Sequence, residues 1–493
     1  MNILLINACS KYVKQKAPLP LGLLSIATYL KENGHSVVIY DRAVEGASVK
    51  KYISSFMPDI IGISVPGSMS IDDALRLSKS VKKHDIPVVW GGPTASLIPE
   101  LVLKSGLVDY VVMGDGEMVF LELIKALNMK TPLSEITGLA YIKNGEPVIN
   151  KKRKLVDLAE LPIIDFTFVD PTRYYFQNRG CKKMLHVYSS KGCSGLCTYC
   201  YNSGYVKGQW RARPSEYYIN ELKYLIENYH IDGVYFVDDL LSSNREYLRS
   251  FCSKLIESNL GIFWSCDMRT DLCEKEDLRL MYEAGCRWIM FGIESGTEEG
   301  QKIIKKNLDL QKTKEIMDYL DEIGIFTTVT FVTGFHYQTE EDLKATVQYI
   351  LELNAKVKIG GIYGPFPGSE MYQDLVKGKR IKAFESFQDW SRNANMHTIG
   401  NNLSEVPSIE LRVIANCFLL SVFTNKYEFD GEKKHFWINR LAFQIRDMLK
   451  RGNLRSVMLV MKSAKEFLEI VFYATMFPRI RKKYGLYKTS KLG

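Results

Sequence analysis

Cys193, Cys197 and Cys200 lie in a C-x3-C-x2-C spacing directly after an apolar run from Met184 to Tyr188. Three thiolates on one short loop can wrap a cubane iron–sulfur cluster, which usually takes four; the missing fourth ligand leaves one iron open to a small molecule. Structural zinc competes with this reading, but it wants four ligands, as a rule in two paired half-sites. No CxxC or CxH pair lies nearby to complete such a site, and the nearest histidine, His186, sits within the apolar run. The spacing therefore predicts 4Fe-4S ligation by these three cysteines.

Polar residues further on fall at the ends of apolar runs. Asp238-Asp239 ends Val-Tyr-Phe-Val, Arg269 ends Trp264-Ser-Cys-Asp-Met, and Glu294-Ser295 stands in Phe291-Gly-Ile-Glu-Ser-Gly296. The elements that must position them alternate. Candidate strands are Met184–Ser189, Gly233–Val237, Ile262–Cys266, Trp288–Ile293, Thr327–Val332 and Lys358–Tyr363. Helical spacing covers Tyr217–Asn228, Arg245–Ser258, Asp277–Ala284, Lys312–Ile323 and Glu341–Leu353. Six such units suit a partial barrel, and barrels carry their chemistry at the carboxyl ends of the strands. Thr339 with Asp342 has the form of a capping box opening the last of these helices.

The first 145 residues repeat the alternation. Strands are expected at Ile3–Ile6, Ser36–Tyr40, Ile60–Ser64, Pro87–Trp90 and Tyr110–Met113, with helices at Leu21–Lys31, Ile71–Lys83 and Met118–Leu127. Continuous apolar strands between helices mean a parallel sheet covered on both faces. Five of them suit a flavodoxin-like doubly wound sheet, whose ligands sit beyond the carboxyl ends of the strands. Glycine-bearing loops stand there: Pro18–Gly22, Ser64–Ser68, Gly91–Thr94 and Gly114–Glu117.

With the aromatic Tyr199 directly before the third cysteine, the cluster segment resembles the radical S-adenosylmethionine (SAM) enzymes. The resemblance implies that SAM chelates the open iron and that one electron cleaves it to a 5′-deoxyadenosyl radical. It also implies SAM contacts from Tyr199, Asp238, Asp239, Arg269, Glu294 and Ser295. Of the two aspartates, one would face the methionyl amine and one would cap the following helix; Arg269 would pair with the SAM carboxylate or with an acidic neighbour. Glu294 would reach a ribose hydroxyl or the methionyl group, unless an arginine or lysine elsewhere in the chain neutralises it.

The N-terminal loops, taken with the cluster, resemble the cobalamin-binding domain that precedes many radical SAM barrels. That implies corrin contacts from Leu21, Gly22, Ser64, Ser68, Gly91, Gly92, Thr94, Gly114 and Glu117. The chain departs from one common pattern. The D-x-H-x-x-G motif has its only lookalike in Asp41–Gly46, with Ala43 in the histidine place, so cobalamin would bind without a histidine lower ligand.

The expected architecture is α/β: a cobalamin-binding domain over 1–145, a charged linker over 146–183, a partial (β/α)6 radical SAM core over 184–375 and a helical C-terminal region over 376–493. The apolar stretch Val457–Phe477 is interrupted by Lys462, Lys465, Glu466 and Glu469, so an amphipathic helix is expected there, not a membrane span. Peripheral membrane contact stays open. A net charge of +9 spread over the sequence suits a solvated surface and no nucleic acid. The seven cysteines outside the cluster are scattered, as in a reducing cytoplasm, and the opening Met-Asn-Ile-Leu-Leu-Ile-Asn is expected to be a buried strand, not a signal peptide.

The resemblance implies a cobalamin-dependent radical SAM enzyme, most often a C-methyltransferase of a small molecule or natural product, reduced by a flavodoxin or ferredoxin. A radical cyclase or ring-rearranging enzyme with the same cofactors is the nearest alternative. A methylthiotransferase of tRNA or protein fits less well, because only Cys9 precedes Cys181. No catalytic acid or base is named, since radical hydrogen abstraction needs none.

Overall fold

The computed structural model describes all residues except 10–16, 46–47, 179, 388, 391–401, 425, 430–431, 436–464, 466–467 and 487–493. Two compact units emerge: Met1–Gln177 with Lys182–Asp239 and Pro365–Asn395, and Asn178–Cys181 with Leu240–Gly364 and Met396–Gly493.

In the first unit β1 (Asn2–Asn7), β2 (Ser36–Asp41), β3 (Ile60–Ser64), β4 (Val88–Gly91) and β5 (Tyr110–Val112) form a parallel sheet in the order 2-1-3-4-5. Their apolar runs are buried through both faces, with Ile3–Ile6, Ile60, Ile61, Ile63 and Val88–Trp90 nearly inaccessible. The covering helices are α1 (Leu21–Glu32), α2 (Val49–Phe56), α3 (Ile71–Val81), α4 (Pro93–Leu97), α5 (Pro99–Lys104) and α6 (Gly116–Met129). The short α2 was not expected; Ser48 caps it by accepting the Lys50 N–H.

The sheet also runs past its expected boundary at 145. A hairpin of β6 (Leu139–Lys143) and β7 (Glu146–Ile149) adds antiparallel to β5. Its turn, Asn144-Gly145, takes positive φ at both positions, which those two residue types tolerate best.

The expected linker packs against this unit. Val156, Leu158 and Leu161 cluster with Tyr29 and Met118, while Lys151, Lys152 and Lys154 stay exposed and Arg153 pairs with Glu122 at 2.8 Å. Three successive 3-10 turns follow, each opened by an aspartate (Asp157, Asp165, Asp170) that accepts the N–H two residues on. Beyond the short β8 (Phe176–Asn178), β9 (Cys181–Val187) pairs parallel with β12 (Gly233–Phe236). Between them β10 (Ser190–Gly192) and β11 (Trp210–Ala212) make a small antiparallel hairpin.

A returning segment, Pro365–Asn395, completes the first unit. Its Phe387 and Trp390 join the buried core around β3 and β4, with the Phe387 ring centred 5.5 Å from that of Trp90 and tilted by 47°. The sequence expectation placed this segment partly in the barrel and partly in the C-terminal region.

In the second unit β13 (Phe263–Met268), β14 (Cys286–Glu294), β15 (Phe326–Thr333) and β16 (Val357–Ile362) pair parallel in succession. All six strands expected for the barrel thus form, two in the first unit and four in the second. The Thr339–Asp342 capping box opens the helix Glu340–Glu352 as expected, with bonds of 3.2 and 3.0 Å.

The described part of the C-terminal region is mainly helical, with Ser408–Thr424, residues 468–475 and Pro478–Lys483; a hairpin of β17 (Lys426–Phe429) and β18 (Glu432–His435) was not foreseen. Of the apolar stretch Val457–Phe477, residues 457–464 and 466–467 lie outside the described residues. Within the part that is described, Ile470 and Ala474 are buried, and the Ala474 carbonyl accepts from the Cys417 thiol. Among the described residues, no helix is long and apolar enough to cross a membrane.

Candidate functional site

The cysteine loop leaves β10 at Gly192, which takes φ +90. A Cβ there would lie 2.2 Å from the Gln209 carbonyl, so only glycine lets the hairpin close directly before Cys193. The loop then turns back on itself: the Cys200 N–H donates to the Cys197 carbonyl at 3.1 Å, and the Gly195 N–H donates to Cys193 Sγ at 3.3 Å. Burial pushes the Cys200 thiol up to about 12, and the charges of Cys197 and Cys193 push the same way. A thiol whose ionisation is opposed by two neighbouring cysteines suits a cationic group that takes all three together.

Among the described residues, no three His, Cys, Asp or Glu side chains converge on a single metal ion. A cubane takes one thiolate per iron and does not require that convergence.

Asp239 ties both ends of the loop. It accepts the Gly192 N–H at 2.9 Å on one side, and the Tyr201 hydroxyl at 2.9 Å and Asn202 Nδ2 at 3.0 Å on the other. Asp238 is buried beneath it and accepts from the Ser189 N–H (2.9 Å), Ser189 Oγ (2.8 Å) and Ser190 Oγ (2.5 Å). Burial raises the Asp238 carboxyl to about 6, against the lowering effect of those bonds.

Neither aspartate is a helix cap, which corrects the sequence expectation. The next helix, Arg245–Ser258, is capped by Asn244, whose side chain accepts the Tyr247 N–H. On a further side, the Met371 N–H donates to the Thr198 carbonyl at 2.8 Å, so the returning segment also braces the loop. Tyr199 is half-buried beside Cys200.

In the second unit, Glu294 ends β14 with φ 66. Its Oε1 accepts from Lys306 Nζ at 3.0 Å, and both side chains are about nine-tenths buried. A Cβ at Gly292 would fall 2.3 Å from Glu294 Oε1 and 2.7 Å from Lys306 Nζ, so that glycine makes room for the ion pair. Lys306 is the neutralising cation that the sequence reading of Glu294 left unidentified.

Arg269 meets an acidic neighbour. Its Nε and Nη2 donate to Asp271 at 3.0 and 2.8 Å, and Nη2 also donates to the Lys306 carbonyl. Ser295 is buried, with its hydroxyl 3.3 Å from Thr297 Oγ1.

The remaining expected residues ring the carboxyl edge of the first sheet. Leu21 and Gly22 open α1, Ser64 ends β3 and Gly91 ends β4. Gly92 takes φ +94, and a Cβ there would crowd the Val65 carbonyl at 3.1 Å. Added Cβ atoms at Gly22, Gly67 and Gly114 would meet nothing within 4 Å, so these loops keep an open edge that a large ring can approach. Thr94, fully buried on α4, has a hydroxyl with no hydrogen-bond partner. Ser68 begins a 3-10 turn, and its side chain lies outside the described residues. An open glycine edge beside an unsatisfied hydroxyl fits a polar macrocycle.

Glu117 is almost wholly buried and accepts from Ser25 Oγ at 2.6 Å. Its other neighbour is Lys191, 3.3 Å away on the cysteine hairpin. Asp115 accepts from Arg211 Nη1 at 2.6 Å and from the Val156 N–H at 3.1 Å. Asp41, in the motif lacking histidine, is buried and accepts from the Ala43 N–H, Asn7 and the Tyr174 hydroxyl.

Comparison with known proteins adds the following. The family model of the Radical SAM superfamily matches residues 187–350, and that of the B12 binding domain matches residues 15–124. An uncharacterized methyltransferase, PH0819 of Pyrococcus horikoshii, is 29% identical over 388 residues, spanning 76% of this chain and 83% of its own. The anaerobic magnesium-protoporphyrin IX monomethyl ester cyclase of Rubrivivax gelatinosus is 23% identical over 378 residues, spanning 74% and 67%. Among solved structures, the radical SAM methyltransferase TsrM of Kitasatospora setae, with tryptophan and a SAM analogue bound, aligns with a TM-score of 0.68 at 19% identity and 76% coverage of each chain. At that identity the likeness speaks for the fold: an N-terminal doubly wound α/β domain followed by a partial (β/α)6 barrel.

Proposed function

Because this chain belongs to the radical SAM enzymes that carry a B12-binding domain, we propose that it is a cobalamin-dependent C-methyltransferase of a small molecule. The observation that carries the reading is the juxtaposition within one compact unit. The cysteine loop and the β5-end loop of the B12-type domain are held together by the Lys191–Glu117 and Arg211–Asp115 ion pairs.

When bound, a 4Fe-4S cluster with SAM would supply a 5′-deoxyadenosyl radical, and cobalamin would supply a transferable methyl group. Cys193, Cys197 and Cys200 would hold the cluster, on a loop that Asp239 closes at both ends and Thr198 anchors to the returning segment. Tyr199, Asp238, Asp239, Arg269, Glu294 and Ser295 are the side chains proposed to surround SAM. Their roles differ. Asp238 and Asp239 shape the loop from beneath, whereas the Glu294–Lys306 pair presents a fixed dipole to a polar ligand. Leu21, Gly22, Ser64, Ser68, Gly91, Gly92, Thr94, Gly114 and Glu117 are the proposed cobalamin edge, with glycines admitting the ring and Thr94 offering a buried hydroxyl. Hydrogen abstraction by a radical requires no protein base, and none is assigned.

A flavodoxin or ferredoxin is proposed as the reductant. The scattered cysteines, none in a disulfide among the described residues, suit a cytoplasmic setting.

The cyclase relative favours one second reading, oxidative ring closure with the same cofactors. The two readings separate by the products of SAM. Reconstituted anaerobically with cobalamin and a reductant, a methyltransferase forms S-adenosylhomocysteine as well as 5′-deoxyadenosine. A cyclase forms 5′-deoxyadenosine alone. Cys197→Ala should abolish the 5′-deoxyadenosine in either case; its persistence would contradict the cluster assignment.

A further inference from the structure

The network between the two loops is built in a particular way. Lys191 and Arg211 are directly opposed in the β10–β11 register, so both cations project from one face of the hairpin that ends at Cys193. They meet two carboxylates at the start of α6. Lys191 Nζ lies 3.3 Å from Glu117 Oε1 and 3.8 Å from Asp115 Oδ1, and Arg211 Nη1 lies 2.6 Å from Asp115 Oδ2.

Arg211 also donates to the Val156 carbonyl, and Asp115 accepts the Val156 N–H, which ties in the connecting segment. Through Ser25, Glu117 reaches α1, whose first turn contains Leu21 and Gly22. The network therefore touches two sides of the glycine edge, α1 and the Gly114 loop, and ends next to the first cysteine.

Both carboxylates are buried, and Glu117 Oε2 has no hydrogen-bond partner. Moving the β5–α6 loop away from the hairpin would strand them without cations, which is strongly unfavourable. The hairpin itself has little slack, because Gly192 is closed against Gln209. A shift at one end of this network must move the other.

We propose that Lys191 and Arg211 are positioning residues that couple the two cofactor sites, so that occupancy of the glycine edge by cobalamin alters the affinity of the cysteine loop for SAM. This rests on the cobalamin reading above. Linkage makes the coupling reciprocal: SAM must change the cobalamin affinity by the same factor. A salt bridge that merely stabilises the fold would alter stability, or both affinities, and leave that factor unchanged.

The test uses the full chain with its cluster reconstituted. The dissociation constant of hydroxocobalamin is measured with and without saturating SAM, and that of SAM with and without saturating hydroxocobalamin. In wild type the two ratios should agree and fall in the range of about 5- to 150-fold. In Lys191→Met both should collapse to within about twofold of unity, while Lys191→Arg, which keeps a cation opposite Glu117, should keep them. Should Lys191→Met fail to fold, Arg211→Gln, which leaves Lys191 facing Glu117, should still lower the ratio severalfold. Ratios of one in wild type, or ratios unchanged in the folded variants, would overturn the proposal. A wild type that takes up no cobalamin at all would instead fail the underlying reading, and the inference with it.

Discussion

Replacing Lys306 with methionine should destabilise the second unit by about 3–5 kcal/mol, because it removes one partner of a buried ion pair and leaves the other charge in place. Glu294 and Lys306 stand 3.0 Å apart with side chains 10% and 7% exposed. At an effective dielectric of about 20, charges at that distance attract by about 5 kcal/mol, most of it offset in the native protein by desolvation. Methionine removes the attraction, but the carboxylate stays desolvated. Glu294 also sits at φ 66, a conformation that persists only where surrounding contacts over-determine it. With Lys306 gone, one of those contacts is lost and the strand end should relax. Urea unfolding of the cluster-free chain, with hydrogen exchange read on peptides covering 286–308, follows both effects. The control is Glu294→Gln/Lys306→Met. Removing both charges should restore most of the loss, since a buried pair replaced by neutral groups of similar volume is close to neutral. A single variant costing less than about 1 kcal/mol, or a double variant costing as much as the single, would refute the reasoning.

Other outcomes follow from the same geometry. Gly192→Ala should sharply reduce iron uptake, because its Cβ would collide with the Gln209 carbonyl at 2.2 Å and open the hairpin beside Cys193; iron analysis after reconstitution checks this. Gly204→Ala should expose the returning segment to limited proteolysis, since its Cβ would lie 1.9 Å from the Gly368 carbonyl. Asp238 gives a pH dependence. Its folded pKa is about 6, raised from 3.8, so between those values the folded form holds a proton that the unfolded form has lost. Its contribution to stability is therefore greatest below about pH 4 and falls by about 3 kcal/mol as pH rises through 6. Unfolding of Asp238→Asn beside wild type at pH 4, 5, 6 and 7 should show wild type losing ground to the variant with rising pH; a constant difference would contradict it.

What the sequence disclosed follows from where the information is local. The parallel strands announce themselves as runs of β-branched residues too short for helices, and the Thr339–Asp342 box and the cysteine spacing are contained in a few residues each. The hairpin at 139–149 was equally local, since Asn144-Gly145 between alternating residues is a strong turn signal, and it extends the first sheet past a boundary set by the charged run that follows. Other features depend on partners distant in sequence. Nothing near Glu294 marks Lys306 as its cation, and Lys191 reads as one lysine among many until β10 pairs with β11 and faces α6. Phe387 and Trp390 follow the last barrel strand and yet join the core of the first sheet, Phe387 directly against Trp90, which no periodicity encodes. The aspartate pair shows the limit within a motif. Asp238-Asp239 was visible, but that both bind the cysteine loop and neither caps a helix depends on Ser189, Ser190, Gly192 and Asn202 being folded around them.

The most direct test of the account is cofactor stoichiometry after anaerobic reconstitution of the full chain with iron, sulfide and hydroxocobalamin. About four irons and about one cobalamin per chain are expected, with the iron lost in Cys197→Ala and the cobalamin retained. Iron without cobalamin would contradict the two-site reading and leave a radical SAM enzyme whose first domain has another purpose. Cobalamin without iron would contradict the assignment of Cys193, Cys197 and Cys200.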